Sequence, residues 1–110
     1  MTVESLPEPI RRFIEATNRG DTTAFLDAFA SDATLIDWGR KFSGREGIAS
    51  WNETDNIGVQ AHFDLVSFVE GKRHGSYEVT LKVTGNGYNG TGPMTFTVIG
   101  DQIASLTIEP

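Results

Sequence analysis

Cysteine is absent from all 110 residues of the chain. That excludes a disulfide framework, a thiolate metal site and a cysteine nucleophile, and is neutral about compartment. Long apolar runs are missing too: nothing approaches the roughly 18 residues of a membrane span. Positive charge is scarce, with 9 Lys and Arg against 15 Asp and Glu, a net charge of −6, and no Lys or Arg after Lys82. Cations cluster only as the doublets Arg11-Arg12, Arg40-Lys41 and Lys72-Arg73, too few for the counterion release that drives phosphate-backbone binding. Neither nucleic acid nor membrane is expected as a partner. The two histidines, His62 and His74, lie far apart in sequence, so no metal is expected, and no cofactor motif is present. The first residues, Met-Thr-Val-Glu, put no basic segment before an apolar run, so no secretory signal is expected and the cytoplasm is the default location.

The length suits one domain, residues 1–110, able to bury about 65% of the surface its unfolded chain would expose. Ser5 is placed to cap a first helix with Pro7 near its start, and Ile10, Phe13, Ile14 and Thr17 then share a face until Asn18-Arg19-Gly20. Asp21 is placed to cap a second helix, with Phe25, Leu26, Ala28 and Phe29 as its apolar stripe and Ser31-Asp32 as its end. Thr34 to Trp38 reads as a strand, with Leu35 and Asp37 on one face and Ile36 and Trp38 on the other. Phe42-Ser43-Gly44 reads as a short return, and Arg45 to Asp55 as a third helix presenting Ile48 and Trp51.

From Val59 the period becomes two. Val59, Ala61, Phe63 and Leu65 alternate with polar residues, then Val66 and Phe68 take the other parity, which predicts a bulge near Leu65-Ser67. A strand bent in this way curls a sheet around a cavity. Tyr77, Val79, Leu81 and Val83 form the cleanest alternation. The segment from Gly85 to Gly92 holds two Asn-Gly pairs and lacks the Gly-Lys-Ser/Thr end of a phosphate loop, so it reads as a hairpin connection. A last hairpin turns at Gly100-Asp101.

Asp37 is the leading candidate for chemistry, because a carboxylate on a mostly buried face loses solvation and becomes a stronger base. Pairing with Arg40 or Arg45 is its structural alternative. His62 is a candidate acid–base partner for it, or else a residue of the wet face. Trp38 and Trp51 are candidate walls for a flat ligand, or core. Phe13 and Phe29 are candidate contacts of the same kind, with a core role as the other reading. Tyr77 falls on the buried parity, where its hydroxyl needs a partner.

Asn18-Arg19-Gly20-Asp21, Phe25-Leu26, Phe29-Ala30-Ser31-Asp32-Ala33 and Gly44 with Ile48 and Trp51 give the chain a resemblance to the nuclear-transport-factor-2-like superfamily. Within it the chain is most similar to SnoaL-like polyketide cyclases and ketosteroid-isomerase-like proteins. The resemblance implies an α+β fold, a curved mixed but mostly antiparallel sheet wrapped around N-terminal helices to form a cone-shaped cavity. It also implies a homodimer, while the apolar cup with few polar groups points to a small, largely apolar ligand. Asp37 falls where ketosteroid isomerases carry the aspartate that moves a proton between carbons. The isomerase's two donors to the enolate oxygen do not carry over: their positions match Phe13 and Thr95, and phenylalanine cannot donate. Two functions stand on this resemblance. One is an isomerase- or cyclase-type enzyme using the carboxylate on an apolar, ring-containing substrate; the other is a non-catalytic binding or dimerisation module of the same fold.

Overall fold

The structure, a computed structural model, describes residues 2–109. Three α-helices and six strands follow one another as α1 (Glu8–Arg19), α2 (Thr22–Asp27), β1 (Phe29–Asp37), β2 (Arg40–Ser43), α3 (Gly44–Asp55), β3 (His62–Glu70), β4 (Ser76–Thr84), β5 (Gly90–Ile99) and β6 (Gln102–Ile108). The strands form one sheet in the order β2-β1-β6-β5-β4-β3, antiparallel except for the β1–β6 pair. This is the α+β cone fold that the resemblance implies. Among the described residues no helix is long and apolar enough to cross a membrane.

Local signals place most of these elements. Gly20 closes α1 in the left-handed conformation, its N–H reaching back to the last turn. The Asp21 carboxylate accepts from the Ala24 N–H and starts α2 one residue later. The expected Ser5 cap is replaced by a short 3₁₀ turn, Val3–Ser5. Leu6 and Pro7 intervene, because the residue before a proline is driven out of the α region, and α1 then starts at Glu8 without a side-chain cap. The second helix is also shorter than its apolar stripe suggests. It ends at Asp27, and Phe29 already belongs to β1, where it pairs in register with Ile103 of β6. A phenylalanine buried on a helix face is equally buried on a strand, so sheet pairing decides.

The bulge falls at Leu65/Ser67, as the parity change predicts. The strand itself begins three residues later than expected, at His62. Ile57–Val59 makes a 3₁₀ turn, and Gln60 is left-handed at φ 57°. Gly58 in that turn lies hard against the Glu53 carbonyl, and any Cβ there would collide with it. Gly58→Ala is therefore expected to destabilise the protein by about 2 kcal/mol or more, read as a lower urea midpoint at unchanged slope.

The helices close one end of the curved sheet over an aromatic core. The Phe13 ring is fully buried and meets Phe25, Phe29, Phe63 and Phe96 at centroid distances of 5.4, 6.1, 5.3 and 5.2 Å. Asn18 ties α1 to the sheet as a surrogate strand, giving Nδ2 to the Phe63 carbonyl and accepting the Phe63 N–H. Arg45 of α3 grips the Phe29 carbonyl through two N–H groups. These bonds hold the helical end of the cone rigidly against the sheet and leave its other end open.

Candidate functional site

The open end is a cavity of about 330 Å³ whose walls are mainly apolar. Phe63, Val83, Met94 and Ile108 form the sheet side with Ala61 just ahead of β3, and Trp51 forms the helix side. Gly92 stands on the same sheet wall opposite Leu81, where a Cβ would meet nothing within 4 Å. Its backbone angle is not in the left-handed region, so the missing side chain leaves space and no strain.

Asp37 is the last residue of β1, and its side chain is only 14% exposed. Its Oδ2 accepts two bonds, from the Trp51 indole N–H at 2.9 Å and from Arg40 Nη2 at 2.9 Å. Oδ1 has no partner among the described residues. Arg40 continues to Asp55 at 3.3 Å, bridging the two acids at the rim of the cavity. The hydrogen bond to Asp55, followed by the charges of Asp55 and Asp37, raises the guanidinium's pKa above its ordinary value. Arg40 is thus a fixed cation clamped by two carboxylates.

Trp38 departs from the alternation that places it opposite Asp37. With φ 50° it sits beside Gly39 at φ 84° in the two-residue turn joining Asp37 to Arg40, the backbone of a type I′ hairpin. The turn takes it out of the strand and swings the indole, 54% exposed, to the rim. There it meets Tyr88 edge to face, ring centroids 6.2 Å apart. A bulky residue at positive φ is strained, and such strain persists only where its surroundings enforce it. The Trp38 N–H, held by the Ile108 carbonyl at 2.9 Å, supplies part of that enforcement.

Of the residues singled out in the sequence, Asp37, Trp38 and Trp51 are brought to one cavity. The others are not. His62 occupies the strand position before the buried Phe63, so parity turns it to solvent, where Nε2 lies 3.3 Å from Asp64 Oδ1. Tyr77 pairs with Phe96 toward the far end of β4 and lines a separate surface groove with Pro7, His74 and Asp101. Phe13 and Phe29 are sealed in the aromatic core and do not reach the cavity. Thr95 is exposed; its neighbour Met94 faces inward instead.

Asn56 is the residue that the sequence reading missed. It is 1% exposed at the end of α3 and lines the cavity. Its Nδ2 donates to Thr17 Oγ1 and to Asn52 Oδ1, each at 3.0 Å. The amide orientation follows from its neighbour: Asn52 Oδ1 also receives the Ile57 N–H, so it is an acceptor and must face the nitrogen of Asn56. The backbone of Asn56 is pinned too, its carbonyl accepting from Val59 and Ala61. The only sequence signal was two asparagines four apart at a helix end.

The profile of the SnoaL-like domain family matches residues 10–106. No curated protein matches the chain. Among solved structures, a Sinorhizobium meliloti protein assigned as a polyketide cyclase superposes with a TM-score of 0.88 at 24% identity, over 99% of this chain and 100% of that one. Rv0760c of Mycobacterium tuberculosis, in complex with estradiol-17β-hemisuccinate, superposes at 0.78 with 13% identity, over 90% and 88%. The Δ5-3-ketosteroid isomerase of a Mycobacterium species superposes at 0.76 with 16% identity, over 90% and 87%. At these identities the likeness establishes the fold.

Proposed function

The chain belongs to the SnoaL-like domain family, and we propose that its cavity binds a small, largely apolar, ring-containing molecule on which Asp37 moves a proton. The observation that carries this reading is the Asp37 carboxylate, one oxygen unengaged, in the wall of a mainly apolar cavity of about 330 Å³. A concave apolar site with a few convergent polar groups is the usual anatomy of a small-molecule site. The steroid ester bound by the mycobacterial neighbour supports it, since a ring system fits within the same fold.

Steroid isomerisation with two enolate donors is a poor fit to this chain. The corresponding positions are Phe13, sealed in the core, and Thr95, exposed on the outside. The same fact favours a second reading, ligand binding without chemistry. A homodimer goes with either reading, supported by Val66 and Val69, both more than half exposed on edge strand β3.

Proton transfer is tested by exchange of carbon-bound hydrogen in deuterated water, followed by NMR over a panel of ring ketones and phenols. Asp37→Asn is expected to lower a wild-type exchange rate by about 100-fold or more, the usual scale of general base catalysis, while affinities stay within about threefold. Equal exchange by both proteins would reject the base and leave the binding module.

A further inference from the structure

The polar groups inside the cavity are unequally divided between donors and acceptors. Trp51 has one indole N–H, and it is held by Asp37. Both N–H groups of Asn56 are held, by Thr17 and Asn52. The Arg40 guanidinium is at the rim, committed to Asp37 and Asp55. The unengaged donors of the lining, the Trp38 indole N–H and the Tyr88 hydroxyl, belong to half-exposed rings at the rim; deeper in, what faces the cavity unengaged is oxygen. Asn56, a residue only 1% exposed, has no hydrogen bond to its Oδ1 among the described residues, and because that oxygen is not one of the fully sealed unpartnered atoms, the cavity that Asn56 lines is the space it opens on. Asp37 retains a free Oδ1, and Asp55 and Glu109 add two further carboxylates to the lining against the single cation Arg40.

An acceptor that only cavity water can reach loses that hydration when a ligand fills the space, and it then carries the full cost unless the ligand donates to it. Asn56 cannot turn away from the cavity, because three side-chain and backbone anchors fix it: Thr17, Asn52 and the Asn56 carbonyl bonded to Val59 and Ala61. We infer that the ligand enters with a hydrogen-bond donor, a ring-borne hydroxyl or ammonium, directed at Asn56 Oδ1, and that a ring ketone is the disfavoured counterpart. The inference rests on the cavity being a ligand site. It adds the sign of the recognition, which is opposite to that of a site built to stabilise an enolate oxygen with donors. A site that hydrogen-bonds an O–H or N–H discriminates strongly against the analogue without one, because its own polar atom is then left unpaired.

Three probes share one bicyclic skeleton and differ only in that group: 2-tetralol, 2-aminotetralin and 2-tetralone. Their affinities for the wild-type protein can be read by quenching of Trp38 and Trp51, the chain's 2 tryptophans, and by thermal shift. The alcohol or the amine is expected to bind at least about tenfold more tightly than the ketone. Which of the two leads decides whether the hydroxyl or the charged amine is the better match to the carboxylates. Gly92→Leu, which projects an isobutyl group into the cavity, is expected to weaken binding of all three by at least about 100-fold. Asn56→Leu, if circular dichroism shows it folded, should level the three affinities. If it does not fold, the wild-type ranking and the Gly92 variant decide. A ketone that binds as tightly as the others overturns the donor inference while the cavity stands as a ligand site. Binding by none of the probes, or binding that survives Gly92→Leu, overturns both.

Discussion

Gly92→Leu is expected to reduce the affinity for a bicyclic ring ligand by at least about 100-fold, about 2.7 kcal/mol, while leaving the fold intact or more stable. Position 92 is unusual in combining both conditions. It lies on the inner face of β5 across from the buried Leu81, and a Cβ there points into unoccupied space. The β5–β6 pairing begins only at Met94, so no neighbouring strand covers the site from that side. A glycine inside a strand costs about 0.5–1 kcal/mol relative to alanine through lost backbone entropy. Relieving it and packing a leucine against Met94 and Phe63 should raise the melting temperature by a few degrees. Calorimetry of the variant with and without 2-tetralol separates the two effects. A stable variant that still binds at wild-type affinity would place the ligand outside this cavity. An unstable one would show that the space is not available to a side chain.

Phe13→Ala should have the largest effect on stability, about 3–5 kcal/mol. The ring is fully enclosed at the junction of α1 with the sheet and contacts four other phenylalanines, stacked on Phe63 and edge to face with Phe29 and Phe96. Its removal leaves a void bounded by both helices and by three strands, elements that are tied together elsewhere and cannot all collapse inward. A domain of this size should lose about 15 °C or more in melting temperature. Phe63 also lines the ligand cavity, so its loss of a stacking partner should weaken ring binding in whatever fraction remains folded. Denaturant melts followed by far-ultraviolet circular dichroism measure the first effect. A cost below about 1.5 kcal/mol would mean that the aromatic cluster repacks around the hole.

The two substitutions probe the two ends of one cone. At the closed end, rings from helices and sheet fill the space that a ligand would otherwise use, which is why Phe13 and Phe29, attractive as ligand contacts, belong to the core. At the open end the strands run past the helices, and the wall is completed by Trp51, the rim pair Trp38 and Tyr88, and the Asp37–Arg40–Asp55 bridge. Stability and binding are therefore separable in this chain.

Much of the architecture was legible because its signals are local. Gly20 and Asp21 mark a helix end and a helix start through backbone geometry and one side-chain bond, without reference to distant residues. The β4 alternation and the parity change at Leu65-Ser67 follow from which side chains prefer water, so one buried face suffices to set them. Asp37 and Trp51 were legible as a carboxylate and an indole near one strand–turn–helix unit. Their direct bond was not. It depends on how α3 packs against β1, and so does the Arg40 bridge to Asp55.

Long-range pairing decided the rest. Phe29 was captured from the end of a helix by its register with Ile103, seventy-odd residues away. Trp38 left its strand parity because the hairpin required two left-handed residues. His62 carried the right chemistry on the wrong side of a strand, since alternation separates two faces but does not say which one encloses the cavity. Asn56 became an oriented acceptor only when Thr17, Asn52 and Ala61, drawn from three parts of the chain, converged on it. Side-chain polarity and backbone preference act over a few residues and specify elements. A binding group is specified by which hydrogen-bonding atoms are left over once every other partner has been assigned, and that residue of the pairing exists only in the folded molecule.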